Sequence, residues 1–321
     1  MSRLEASDIG PATLGGLDLV VDELCGAYPN VSPAHLLVSV QGYRRSVARL
    51  LDGRATLGQR RQLLIIAGWI MLLESCLHVD LGQRRAADPA RRAARQLGLH
   101  AEHGEIAAWA DEIGAWQALV DRRYVTAVRL CQAGQQQVST ETFAYVQLAA
   151  QEARAWARLG RPRETHAALA RSAGALQKMR APERPGHHFV FDLRKQVGYT
   201  ATTLAWLGDD SAEAHAREAV GQYEREAAQG RSLRRLATAR VDLALVVARE
   251  GPEEACHLGN LALGSGRWVP SNSWRVGEFA ATLSRRHGRL PVVREFCDHY
   301  RETLGSLSKG PAPPQGTRPW R

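Results

Sequence analysis

Apolar residues recur along this chain at three- and four-residue spacing, in segments of about 12–20 residues, and no strict apolar–polar alternation longer than four residues survives. Short breaks separate the segments: "YPNVSP" (28–33), "LDGRAT" (51–56), "LGLHAEHG" (97–104), "GRP" (160–162), "LGDD" (207–210), "REGPEE" (249–254) and "HGRLP" (287–291). One longer break, "RAPERPGHH" (180–188), is rich in Pro and Gly. The pattern predicts an all-α chain of 13 or 14 helices, paired into hairpins over residues 14–307. An N-terminal extension (1–13) precedes them, and a disordered Pro-rich tail (308–321) follows.

A period emerges when each hairpin is anchored on its turn. Gly82, Asp121, Gly160, Gly208, Gly251 and Gly288 lie 39, 39, 48, 43 and 37 residues apart. Seven residues before the anchors stand Ser75, Gly114, Ala153, Ala201, Ala244 and Ala281, all small. About five after them stand Ala87, Thr126, Thr165, Ala214, Ala255 and Val293, mostly small. Two helices of a hairpin approach closely only where one lacks bulk at the crossing, so both positions read as hairpin contacts. A large apolar residue sits four before several anchors, as at Trp156, Leu204 and Val247. The expected architecture is a set of TPR-like helical hairpins in a right-handed superhelix, without strict 34-residue spacing.

In that architecture the first helix of each hairpin lines the concave wall. The polar and aromatic residues of those helices are therefore the candidate ligand- or partner-binding residues: Glu112, Gln147, Gln151, Arg154, Lys195, Tyr199, Thr202 and Asp242. Four of them, Glu112, Gln151, Tyr199 and Asp242, fall nine residues before successive anchors. Gln147, Gln151, Arg154 and Arg158 form a polar stripe expected to be a wet face. A groove so lined suits an extended peptide, a small signal molecule or a protein partner. The same residues could instead be inter-helix bridges.

Charge refines this picture. The net charge is +9, and the only lysines are Lys178, Lys195 and Lys309, so 39 of the 42 basic residues are arginine. Arginine doublets (60–61, 84–85, 122–123, 234–235, 285–286) are spread along the chain. A nucleic-acid footprint concentrates on one element, so specific DNA binding is not expected. The five cysteines (25, 76, 131, 256, 297) show no CxxC spacing and read as reduced, buried residues.

Candidate chemistry is sparse. There is no HExxH, GxSxG or Walker loop, and "GSGRW" (264–268) reads as an inter-helix loop. His187–His188 lack further ligands at metal-binding spacing; Glu74, His78 and Asp80 read as polar contacts at a hairpin interface. Trp69, Trp109, Trp116 and Trp156 read as core. No catalytic residue, metal or cofactor is assigned. The run "LLIIAGWIMLLESCL" (63–77) is too short to span a bilayer and carries Glu74, and the N-terminus lacks a signal-peptide core. The expectation is a soluble cytoplasmic protein, a homodimer being possible.

Four stretches carry a resemblance: "LLIIAGWIMLLESCLHVDLGQRRAA" (63–87), "QLAAQEARAWARLGRPRETHAALARS" (147–172), "LGDDSAEAHAREAVGQYE" (207–224) and "LATARVDLALVVAREGPEEAC" (236–256). Over roughly residues 15–300 the chain resembles the C-terminal, TPR-like region of XRE-type helix-turn-helix regulators of GC-rich bacteria. It departs from them in showing no N-terminal helix-turn-helix pair, so their DNA binding is not implied. The resemblance implies a non-enzymatic regulatory or adaptor protein in transcription or secondary metabolism. The alternatives are a regulator touching DNA directly or through a helix-turn-helix partner, and an enzyme built in the concave pocket.

Overall fold

The computed structural model describes residues 8–308 apart from 185 and 267. Among the described residues there are fourteen α-helices and no strand. They are α1 (Pro11–Ala27), α2 (Pro33–Asp52), α3 (Leu57–Asp80), α4 (Arg84–His100), α5 (Gly104–Val120), α6 (Tyr124–Gln135), α7 (Phe143–Arg158), α8 (Pro162–Lys178), α9 (Leu193–Leu207), α10 (Ala212–Ala227), α11 (Leu233–Val247), α12 (Pro252–Leu263), α13 (Pro270–His287) and α14 (Pro291–Ser308). The chain enters its first helix at Pro11, inside the expected extension, and Ile9 is already buried. The expected tail, 308–321, lies outside the described residues except for Ser308, which ends α14.

Local chemistry sets the boundaries. Proline opens α1, α2, α8, α12 and α13, where its missing N–H costs nothing. Thr56 and Gln59 form a reciprocal capping box on α3, Thr142 caps α7 and Asp192 caps α9. Most turns close on a left-handed residue, such as Gly160 (φ 65°) after α7. At the Asp121 anchor the left-handed position falls one residue later, on Arg122 (φ 60°), a conformation an L-side chain rarely adopts. The sequence gives no glycine there to mark it.

Consecutive helices pack against each other from α1 to α14, and the odd-numbered helices also pack in series: α1 on α3, α3 on α5, α5 on α7, α7 on α9, α9 on α11 and α11 on α13. The last member returns: α13 packs on α3 and on α5. The odd helices thus form an inner layer closed on itself, with even helices outside. Two large apolar clusters fill the layers, one spanning α1 to α7 and one spanning α9 to α14.

The small residues before the turns are packing contacts at Ser75, Ala153, Ala201 and Ala244, each fully or almost fully buried. A Cβ at Gly114 would come 3.3 Å from Leu130. Ser75 donates its hydroxyl to the Ala87 carbonyl at 2.9 Å, which records how closely α3 and α4 approach. In the last hairpin the register is off by one: Ala281 is exposed and Ala280 is the buried residue. On the second helices Ala87, Thr165, Ala255 and Val293 are buried, whereas Thr126 and Ala214 are exposed and their neighbours Ala127 and Ala216 are buried instead.

All five cysteines are buried and free. The apolar run in α3 belongs to a 24-residue helix that is long and apolar enough to cross a membrane by length and composition, although most of it is buried within the fold. The sequence underestimates this helix because its polar residues, Glu74, Ser75, His78 and Asp80, are all buried, with partners on neighbouring helices or, for His78, at Gln83 in the turn that follows.

Candidate functional site

The inner layer lines a cavity of about 270 Å³ that is partly open to solvent. Seven of the eight sequence-derived candidates line it: Glu112 (α5), Gln147 and Arg154 (α7), Lys195, Tyr199 and Thr202 (α9), and Asp242 (α11). Gln151 does not. It is fully buried behind the wall, and its Oε1 accepts a hydrogen bond from Arg154 Nη1 at 3.0 Å.

These residues are not the solvated stripe that the sequence suggests. Glu112, Gln147, Gln151, Thr202 and Asp242 are all buried. Arg158 pairs in a fork with Glu278 of α13 at 2.6 Å and covers the Trp206 ring at 4.0 Å. The physical reason is the return of α13, which turns a face that an open array would leave wet into an interior.

Polar contacts knit the wall. Gln147 Nε2 donates to Glu112 Oε1 at 3.0 Å and to the Tyr199 hydroxyl at 2.5 Å. Thr202 donates to Asp242 Oδ2 at 2.6 Å, and Arg275 pairs with Asp242 Oδ1. Asp80, at the end of α3, accepts from Tyr28 at 2.6 Å, from Arg234 at 2.7 Å and from Ser271 at 2.6 Å. Those three donors lie before α2, in α11 and in α13, so one carboxylate fastens the two ends of the chain. Gln147 Oε1 and Arg154 Nε are buried without a protein partner.

The charge balance is uneven. Five cations line the cavity: Arg154, Lys195, Arg234, Arg235 and Arg275. Asp80 neutralises Arg234, and Asp242 neutralises Arg275. Arg154, Lys195 and Arg235 remain without an ion pair, and Glu112 is the remaining carboxylate of the lining, its carboxyl pushed above the usual range by burial. Arg154 sits between the Tyr199 and Trp206 rings, at 4.9 and 4.7 Å. The first turns of α9, α11 and α13 all contribute lining, through Lys195, Arg234 with Arg235, and Ser271 with Asn272. Helix N-termini carry partial positive charge, which adds to the cationic side chains.

Lys195 occupies the third position of α9, fixed by Asp192, whose Oδ1 accepts from the Lys195 backbone N–H at 2.9 Å. Its Nζ donates to the His188 carbonyl at 2.7 Å and forms no ion pair. Burial, and then the nearby Arg235 charge, lower the ammonium to about 7. Burial first, and then Lys195 and Arg234, hold His188 neutral, with a pKa well below its ordinary value.

The Pro-rich break is part of the wall. The His188 backbone N–H donates to the Cys25 carbonyl at 3.1 Å, its ring stacks 3.8 Å from Tyr28, and Phe189 wedges between Trp69 and Trp109. Sequence reasoning left out His188, Arg234, Arg235 and Asp80 as site residues, and the doublet at 234–235 looked like every other. The one available signal was position: both arginines follow a break and open a helix. No group of His, Cys, Asp and Glu among the described residues could hold a metal ion. No protein-family model, curated protein or solved structure matches this chain.

Proposed function

We propose that this chain is a non-enzymatic regulatory protein whose TPR-like hairpins close around a small anionic molecule. The carrying observation is the unbalanced charge of the cavity: Arg154, Lys195 and Arg235 line it without an ion pair, and Glu112 is the one lining carboxylate not already paired with an arginine. A partly buried cation without a counterion is costly, and an anion entering the cavity would relieve that cost. Trp109, Trp116, Tyr199, Tyr223 and Trp274 in the wall supply apolar area, so the favoured ligand combines an aromatic or alicyclic body with a carboxylate or phosphate.

The volume of the cavity suits a small molecule better than a folded partner, which favours the small signal molecule among the peptide, signal or protein classes open from the sequence. The design of the wall supports a regulatory role. Helices distant in sequence meet through the cavity residues, so a ligand that bridges them stabilises the closed inner layer and can be read out on the outer helices. The resemblance to the sensor half of helix-turn-helix regulators fits this reading.

The test is a thermal-shift panel of aromatic carboxylates and phosphomonoesters, each beside its uncharged alcohol or amide counterpart. The expected result is a concentration-dependent rise in melting temperature with the anions alone. Equal shifts for charged and uncharged members, or none at all, would overturn the proposal.

A further inference from the structure

We propose that Lys195 captures a ligand carbonyl, an aldehyde or ketone on the anionic molecule, as a reversible imine. The inference rests on the anion-binding reading above and names the chemistry of its ligand.

The geometry comes first. Lys195 Nζ lies in the cavity wall, held by one hydrogen bond to the His188 carbonyl at 2.7 Å and engaged with no carboxylate. An arginine at this point would supply charge alone. A lysine supplies charge or a nucleophile, depending on its proton. Arginine fills 39 of the 42 basic positions in this chain, so lysine chemistry is concentrated in very few places. Of the three lysines, Lys178 is exposed and Lys309 lies outside the described residues.

The surroundings favour the free amine. Arg235 faces Lys195 from α11, Glu112 from α5, Cys76 from α3, and Asp192 and His188 from the segment before α9. Burial and Arg235 oppose the ammonium more strongly than Asp192 and Glu112 support it, bringing the amine to about 7. Its place in the first turn of α9 acts in the same direction, because a helix N-terminus disfavours positive charge.

In the reaction Nζ forms a bond to the carbonyl carbon, and the C=O π pair moves to oxygen. Both amine protons pass to that oxygen, which leaves as water, and the C=N bond forms. No oxidant or reductant is needed. Arg235 and Arg154 are placed to hold the ligand's anionic group while the carbonyl meets Nζ.

The probe pair is pyridoxal phosphate, which joins an aldehyde, a ring and a phosphate, and pyridoxine phosphate, its alcohol counterpart. The full chain is incubated with a stoichiometric amount of pyridoxal phosphate near neutral pH and reduced with borohydride. Hydride reduction turns the imine into a stable secondary amine, which peptide mass spectrometry locates. The expected result is an adduct at Lys195 in at least tenfold excess over Lys178, abolished by Lys195→Arg. Excess pyridoxine phosphate, which cannot form the imine, should suppress it by competition. If pyridoxine phosphate raises the melting temperature but no adduct forms at Lys195, imine capture is overturned and anion binding stands. If neither probe binds, both are overturned. Equal labelling of Lys178 and Lys195 would show ordinary surface reactivity and also overturn the proposal.

Discussion

Replacing Asp80 tests whether the two ends of the chain are fastened around the cavity. Its carboxylate is buried and accepts three hydrogen bonds, from donors 52, 154 and 191 residues away in sequence. Asp80→Ala removes all three acceptors and leaves Arg234 without a counterion. A hydrogen bond to a charged group contributes about 1.5–3 kcal/mol, and an orphaned buried charge costs about 3–5 kcal/mol. Arg234 keeps a quarter of its side chain exposed, which hydrates part of its charge. The expected loss is therefore about 3–4 kcal/mol, below the sum of the separate contributions. Asp80→Asn is a finer probe. Oδ1 serves Ser271 while Oδ2 serves Tyr28 and Arg234, so an amide must turn its N–H group toward at least one donor. It should cost about 2–3 kcal/mol even though its volume is unchanged. Adding Arg234→Gln to Asp80→Asn should recover at least about 1 kcal/mol, because the orphaned charge is gone. The assay is equilibrium urea unfolding of the single and double variants. A loss below about 1 kcal/mol for Asp80→Ala, or strict additivity in the double variant, would refute the fastening of α3 to α11 and α13.

Three further outcomes follow from the same structure. Ala153→Leu forces bulk into a fully buried crossing with Ala168 and Leu204 and should cost about 1–3 kcal/mol by chemical denaturation, an unchanged midpoint speaking against the hairpin contact. For Lys195, whose amine sits near 7 when folded against an ordinary 10.5, the unfolded chain binds one proton more across the interval between them, so this residue makes stability rise with pH above 7. The advantage of Lys195→Met over wild type in urea unfolding should accordingly shrink by about 1–2 kcal/mol from pH 7 to 9, water in the cavity moderating the full value; a constant difference would contradict the lowered amine. Duplex DNA should bind weakly and without sequence preference, its affinity collapsing between about 50 and 200 mM salt in a gel-shift titration, whereas a footprint that survives the higher salt would reveal a specific DNA surface.

The helices and their breaks were legible because period and punctuation are local properties. Caps such as Thr56 and Asp192, the prolines at helix starts, and Gly160 all act within a few residues. The hairpin crossings were legible at Ala153, Ala201 and Ala244 for the same reason. Ala281 was misplaced by one residue because counting back from a turn assumes a uniform helix end, and Gly288 closes its helix with φ −61° rather than in the left-handed form seen at Gly160. Phase along the first helices was enough to gather Glu112, Tyr199 and Asp242 at one cavity. It misread Gln151, which shares that phase but lies behind Arg154. The return of α13 was not legible at all, since it depends on contacts such as Ser271 with Asp80 across 191 residues. With that return unseen, buried groups looked like a wet stripe, and Arg234 and Arg235 looked like one doublet among several.

Arg235 offers the most direct measurement of the account's central claim, because it lines the cavity yet forms no ion pair that its removal would break. Isothermal titration of an aromatic phosphomonoester into wild type and Arg235→Met separates ligand binding from folding. The account predicts one site per chain, at least tenfold weaker binding in the variant, and a melting temperature unchanged or raised, since a hydrogen bond to a charged group contributes about 1.5–3 kcal/mol and 1.4 kcal/mol is tenfold in affinity. Equal affinity in the two proteins, or no binding to wild type, would contradict it.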